Sequence, residues 1–141
     1  MRIRLFVRGR IGHSPEADIV QRYLKRTAWD VDVTEWPDRG GPGFPPADGK
    51  VRTILLDEKG KDMDSHAFAA RIGDWRDNGV RELRFAIGAA DGFSDAERAD
   101  ADLLICFGRM TWPHMMARAM LAEQLWRAYS ILTGHPYHRA G

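Results

Sequence analysis

A chain of 141 residues has room for one domain but not for a second independent core. The net charge of +1 excludes a strong overall field that would attract nucleic acid, and a single cysteine excludes an internal disulfide. Arginines interrupt the N-terminus and no apolar run reaches the ~18 residues of a membrane span, so we expect a cytoplasmic protein without a membrane partner.

The first part of the chain alternates strand and helix patterns. Apolar residues at every second position predict a strand at 3–7, and Ser14 followed by Pro15 marks the start of a helix. A second strand is indicated around 31–33. The segment 37–49 contains four prolines and four glycines in thirteen residues, so we predict an irregular loop there.

The second part of the chain repeats the alternation with clearer signals. A compact apolar run predicts a buried strand at 51–56, followed by a polar turn at 57–61. The remaining predicted elements are a helix that ends near Gly79, a strand at 83–87, a helix that begins at Ser94 with a capping box to Glu97, a strand at 103–106 and a long helix from Pro113 to about Leu132. Strands that alternate with helices are typical of a parallel α/β sheet, here in a single domain over residues 1–141.

Three strand ends carry distinctive residues. Ligands of parallel α/β sheets bind where loops leave the carboxyl ends of the strands, and here these are Leu56, the glycine-rich loop 88–92 and the segment 107–112. Glycine lets backbone N–H groups approach a ligand, and a helix start near 111–113 offers free N–H groups to an adenine edge or a carboxylate. Neither segment matches a dinucleotide or Walker A motif, and each could instead be an ordinary turn.

The C-terminal segment 134–139 combines aromatic and basic side chains. Tyr137 and His138 suit stacking on a splayed-out RNA base, with proton transfer as a second possible role. The alternative is a simple disordered terminus, which is common.

Other reactive side chains have structural interpretations. Cys106 lies on a predicted buried strand, where a small apolar role is usual. His114 is expected to face solvent in the first turn of the last helix. His135 and His138 could bind a metal, but no third ligand accompanies them, so we expect no metal.

Five motifs stand in a fixed order from residue 55 to the C-terminal end. In chain order they are LLDEKGK at 55–61, FAIGAADG at 85–92, MTWPH at 110–114, LAEQLWRA at 121–128 and PYH at 136–138. In this order, along a chain of this length, they resemble the RlmH family of SPOUT-class methyltransferases, which N3-methylate a pseudouridine in 23S rRNA. The resemblance is dense from about residue 55 and continues weakly to Met1.

The resemblance implies a fold, a cofactor and partners. The fold would be a SPOUT-type parallel sheet with a C-terminal deep trefoil knot, in which the region of about 83–138 binds S-adenosylmethionine. The partners would be a second copy in a homodimer and, as substrate, a pseudouridine in a 23S rRNA stem-loop at the subunit interface of the assembled ribosome. By matching position the cofactor contacts would be Leu56, Gly88, Phe107, Gly108, Arg109, Met110, Thr111 and Trp112, with Tyr137 or His138 near the target base as stacking partner or proton acceptor.

The chain departs from the family pattern at Ala89, where a second glycine is usual. The added methyl group could narrow the cofactor cleft, or be harmless if the φ angle of Ala89 is negative. A second hypothesis is therefore a non-catalytic α/β ribosome-binding module with a vestigial cleft.

The last predicted helix independently predicts a homodimer interface. It carries more large apolar side chains than one buried face needs, namely Met115, Met116, Met120, Trp126 and Tyr129.

Overall fold

The computed structural model describes residues 1–89 and 91–139. Ala90, which belongs to the predicted glycine-rich loop, and the terminal Ala140 and Gly141 lie outside the described residues. The helices and strands are β1 (Arg2–Arg8), α1 (Pro15–Leu24), β2 (Asp30–Trp36), β3 (Val51–Asp62), α2 (Ser65–Asp77), β4 (Glu82–Ile87), α3 (Asp95–Asp100), β5 (Leu103–Cys106) and α4 (His114–Thr133).

The five strands form a parallel sheet in the order β2-β1-β4-β3-β5, which confirms the predicted α/β class. Because every pairing is parallel, the carboxyl ends of the strands meet at one edge of the sheet. Two of the candidate loops follow β4 and β5, and Leu56 lies within the neighbouring strand β3, at the point where its pairing with β4 stops. The topology therefore brings the three loops together.

Local signals set the ends of the helices. The Ser14 hydroxyl accepts a hydrogen bond of 3.2 Å from a backbone N–H in the first turn of α1. Ser94 and Glu97 form the predicted capping box of α3, with bonds of 3.1 and 2.9 Å. α4 ends at Gly134, whose left-handed φ of 76° favours glycine. Within the part of the chain that the structure describes, no helix combines the length and apolar character of a membrane span.

The two faces of the sheet are covered differently, because successive side chains of a strand point to opposite faces. One face packs against α2 and α4 in the main core, which includes Ile3, Leu5, Val7, Ile54, Phe68, Ile72, Leu83, Phe85, Leu121 and Leu125. The other face carries a smaller cluster of Phe6, Trp36, Leu55 and Ala86. Phe44 covers this second cluster, with its ring edge-on to Phe6 at 5.2 Å between centroids.

The loop 37–49 has no regular secondary structure, as predicted, but it is attached to the sheet. Arg84 of β4 is 4% exposed and donates to the backbone carbonyls of Pro45 at 2.6 Å and Pro46 at 3.0 Å. These bonds supply the buried guanidinium with carbonyl acceptors from a segment whose prolines have no backbone N–H to donate to a sheet. The loop 37–49 is therefore held against the second face of the sheet and covers it.

The predicted turn at 57–61 is wrong, because β3 continues through Asp62. β3 pairs with β5 at Ile54–Leu56 and again at 61–62, with an irregularity between these two stretches. Gly60 explains how the polar segment stays in the sheet, since a Cβ on it would lie only 2.5 Å from backbone atoms of Ile105. Because Gly60 has no side chain, β3 can lie close to β5 at this point. The polar residues around Gly60 do not indicate this pairing.

Candidate active site

A cavity of about 560 Å³ lies at the carboxyl edge of the sheet, within the size range of small-molecule sites. We call it the carboxyl-edge cavity. Of the residues predicted to contact a cofactor, the ones that line it are Leu56, Gly88, Phe107, Gly108, Met110, Thr111 and Trp112. Arg109 is exposed and is not part of the lining. All three predicted strand ends thus contribute to one cavity.

Glycines shape two sides of the carboxyl-edge cavity. A Cβ on Gly88 would lie 3.2 Å from the carbonyl carbon of Gly92, so the loop folds tightly back on the end of β4. Gly92 donates its N–H to the carbonyl of Ala89 at 2.9 Å. Gly108 has a φ of 89°, a left-handed conformation that side chains disfavour.

Ala89 adopts an ordinary backbone conformation. Among the described residues, every one with a positive φ is a glycine, so the methyl group of Ala89 causes no backbone strain. The alanine in place of the usual glycine was expected to be harmless if its φ angle is negative, and this condition is met. The main reason to suspect a vestigial cofactor cleft is therefore removed.

The segment 107–112 presents apolar side chains at the mouth of the cavity. Met110 is 77% exposed and Trp112 is 41% exposed. The indole N–H of Trp112 donates to the carbonyl of Phe107 at 2.9 Å, which holds the segment in a closed turn. Exposed large apolar groups beside a cavity are typical of a binding surface, and an indole suits stacking on a planar base.

An ion pair that the sequence did not reveal crosses one wall of the cavity. The side chain of Asp57, 2% exposed, accepts hydrogen bonds of 2.8 Å from Arg98 Nε and of 2.8 Å from the backbone N–H of Lys59. The hydrogen bond that Arg98 donates to Asp57 raises the pKa of the Arg98 guanidinium above its ordinary value. This pair ties α3 to β3, and both carboxylate oxygens of Asp57 already accept a hydrogen bond.

A buried cation fixes the start of α4 against the sheet. Arg118 is 2% exposed and donates to Glu35 Oε2 at 2.6 Å and to the carbonyl of Gly9 at 3.1 Å. Glu35 also accepts the backbone N–H of Ile11 at 2.8 Å. The hydrogen bond from Arg118 is the main reason that the pKa of Glu35 is lowered. These bonds hold the first turns of α4, including the cavity-lining His114, in place.

Tyr137 does not line the carboxyl-edge cavity. Its ring packs on Trp126 at 5.6 Å and on Tyr23 at 6.4 Å between centroids, and its hydroxyl donates to Glu123 at 3.3 Å. Burial, reinforced by these polar neighbours, raises the pKa of Tyr137 to about 12. The hydroxyl therefore keeps its proton near neutral pH and can donate a hydrogen bond.

His138 lies with Tyr137 on the outer side of α4. Its Nδ1 is 3.0 Å from Arg127 Nη1, and its ring meets that of His66 edge-on at 4.6 Å between centroids. The structure thus groups Tyr137 with α4 and α1 and His138 with α4 and α2, and neither residue lines the cavity with the predicted cofactor contacts. Within the described residues, no three His, Cys, Asp or Glu side chains are arranged to hold a metal ion.

Cys106 and His114 both line the carboxyl-edge cavity. The sequence had instead predicted a buried apolar role for Cys106 and a solvent-facing side chain for His114. Cys106 is half-buried, because β5 ends there and the chain leaves the sheet. It also borders a neighbouring cavity of about 460 Å³, where Ser65 donates to Gln124 at 2.7 Å. His114 is half-buried in the first turn of α4 and does not simply face solvent.

Comparison with known proteins decides the family. A family model described as a predicted SPOUT methyltransferase matches residues 45–138, about two thirds of the chain. The chain belongs to the SPOUT methyltransferase family. The matched range contains the whole lining of the carboxyl-edge cavity, so the cavity is part of the SPOUT region.

Full-length SPOUT relatives narrow the comparison. A protein from Rhizorhabdus wittichii named Ribosomal RNA large subunit methyltransferase H is 60% identical over 141 residues and covers the whole of both chains. A protein of the same name from Novosphingobium aromaticivorans is also 60% identical over 141 residues. One from Rhizobium etli is 43% identical over 159 residues, with 99% of each chain covered. These similarities confirm the resemblance to the RlmH family that the five motifs indicated.

Proposed function

We propose that this SPOUT protein transfers a methyl group from S-adenosylmethionine to N3 of a pseudouridine in 23S rRNA. The target is a stem-loop at the subunit interface of the assembled ribosome, which places the enzyme in the cytoplasm. The observation that carries the proposal is the convergence of seven matched cofactor contacts on one cavity. Full-length relatives named as large-subunit rRNA methyltransferases support it.

The residues around the cavity fit the proposed cofactor. The apolar side chains of Leu56, Phe107 and Trp112 would hold the adenosine part. α4 begins at His114, and the N-cap residue Pro113 makes no side-chain capping bond, so the first backbone N–H groups of α4 are available to the cofactor's carboxylate or adenine edge. The tight glycine turn at Gly88 lets the backbone pass close to a ligand.

The chemistry proposed for the protein is mainly positioning. Bound S-adenosylmethionine supplies an activated methyl group. The cavity walls would hold that group in line with the target nitrogen and exclude water, and such positioning contributes up to about 7–11 kcal/mol. Tyr137 and His138 are proposed to contact the target base, by stacking and hydrogen bonding.

Replacement of Gly88 tests the cofactor site. Gly88→Val is expected to weaken S-adenosylmethionine binding at least ~10-fold, because the new side chain would press on Gly92 and narrow the cavity. Isothermal titration calorimetry measures the affinity, and circular dichroism checks the fold. Gly49→Val is the matched control, since a Cβ there meets no atom within 4 Å. Unchanged affinity in Gly88→Val would mean that the cofactor binds elsewhere.

The proposal extends to topology and assembly. The family match supports a deep trefoil knot over about 83–138.

For the homodimer, α4 supplies an apolar surface on which Met116 is 42% exposed, while Trp126 is buried within the chain. Sedimentation is expected to give twice the chain mass of 16.0 kDa at micromolar concentration. Met116→Glu should shift the protein toward monomer without changing its circular dichroism, and a monomeric wild-type protein would refute the dimer.

A further inference from the structure

The proposed reaction requires a proton acceptor. As the bond from N3 to the methyl carbon forms, the bond from sulfur to that carbon breaks and leaves a neutral thioether. The proton of the imide N3–H must pass to a base, because a pseudouridine N3 that keeps its proton has no free electron pair for the methyl group. We propose that His114 is this base, a catalytic residue at the mouth of the carboxyl-edge cavity. This inference rests on the proposed function.

The other titratable groups in the lining are less suited to accept the proton. Asp57 is bonded through both oxygens to Arg98 and to the Lys59 backbone. Glu58 and Asp91 are exposed carboxylates, and a solvated carboxylate is a weaker base than an imidazole near neutral pH. A thiol such as Cys106 must lose its own proton before it can act as a base.

The tail residues are also less suited to accept the proton. Tyr137 keeps its own proton, since its pKa is raised to about 12. The Nδ1 of His138 is engaged by Arg127 at 3.0 Å, outside the lining of the cavity. His114 is the histidine that lines the cavity.

The surroundings of His114 support the assignment. Gly9, at the end of β1, has a φ of 83°, and a Cβ on it would lie 3.8 Å from His114 Nε2 and 3.1 Å from Asp38 Oδ1. The imidazole and the carboxylate therefore approach the same point from α4 and from the loop 37–49. Arg118, one turn further along α4, anchors this turn through Glu35.

Gly9 has a defined part in this arrangement. Its left-handed backbone and missing side chain let Asp38 and the first turn of α4 come close together. The loop 37–49, through Asp38, thus lies near the turn of α4 that carries His114.

The test measures the pH dependence of methyl transfer to ribosomes by wild type and by His114→Asn. His114→Asn is expected to lower the single-turnover rate at least ~100-fold, the low end of general base catalysis, and to remove the ascending limb of the pH profile. Its affinity for S-adenosylmethionine by calorimetry should stay within about threefold of wild type.

The outcomes separate this inference from the proposed function. His13→Asn is the matched control, since His13 is exposed and outside the cavity lining, and it should behave as wild type. If wild type transfers no methyl group, the proposed function fails. If wild type is active and His114→Asn has an equal rate and an unchanged pH profile, His114 is not the base. A parallel loss of cofactor affinity would assign His114 to cofactor binding and overturn the proposal. His114→Gln, with the same expectations, replaces His114→Asn if that variant does not fold.

Discussion

Removal of residues 137–141 is expected to lower methyl transfer to ribosomes at least ~100-fold while leaving the affinity for S-adenosylmethionine nearly unchanged. Tyr137 and His138 follow the left-handed Gly134 at the end of α4, so they lie outside the helix itself. Neither residue lines the carboxyl-edge cavity. Their aromatic and imidazole groups suit contact with a flipped base, so their loss should affect the substrate step rather than cofactor binding.

Point variants separate this role from simple packing. Truncation also uncovers Trp126, against which Tyr137 packs. Tyr137→Phe keeps that packing and removes only the hydroxyl that donates to Glu123. His138→Ala removes the imidazole at little cost to the helix. A truncated protein that loses cofactor affinity would place the tail in the cofactor pocket, and one that methylates at the full rate would make the tail an ordinary frayed terminus.

The variant Gly60→Ala is expected to destabilise the protein by about 3 kcal/mol, which corresponds to a fall in Tm on the order of 10 °C. A Cβ at Gly60 would lie 2.5 Å from the backbone nitrogen and carbonyl carbon of Ile105. Backbone atoms of a paired strand cannot move aside as a flexible side chain can, so β3 and β5 would have to separate. Because Ile105 also lines the carboxyl-edge cavity, cofactor affinity should fall as well.

Thermal unfolding followed by circular dichroism measures the effect of Gly60→Ala. Gly49→Ala is the matched control, because a Cβ there meets nothing within 4 Å and the variant should melt close to wild type. An unchanged Tm for Gly60→Ala would show that β3 and β5 do not approach each other as closely as described.

Local chemistry accounts for the parts of the fold that were predictable. The capping box at Ser94 and the stop at Gly134 are each written in a few neighbouring residues and appear as expected. The meeting of the three loops was also predictable, since parallel strands must end at one edge. The prediction of a turn at 57–61 was wrong because polar residues are typical of turns. The segment stays in β3 because Gly60 allows a close approach to Ile105, which lies 45 positions later in the chain.

The parts that could not be predicted depend on contacts between distant residues. Arg98 pairs with Asp57 across 41 positions, and Arg118 pairs with Glu35 across 83. No local pattern marks either pair, so the sequence alone does not indicate them. The same holds for His114, whose place beside Gly9 and Asp38 depends on how α4 packs against β1 and the loop 37–49.

Transfer of labelled methyl groups to ribosomes tests the proposed function most directly. The purified protein would be incubated with methyl-labelled S-adenosylmethionine and either assembled ribosomes or separated subunits from cells that lack this modification. We expect label in 23S rRNA of the assembled ribosomes, at N3 of a pseudouridine in an interface stem-loop, and little label with Gly88→Val. Tight cofactor binding by the wild-type protein with no label in any ribosomal RNA would contradict the proposal and favour a non-catalytic ribosome-binding module.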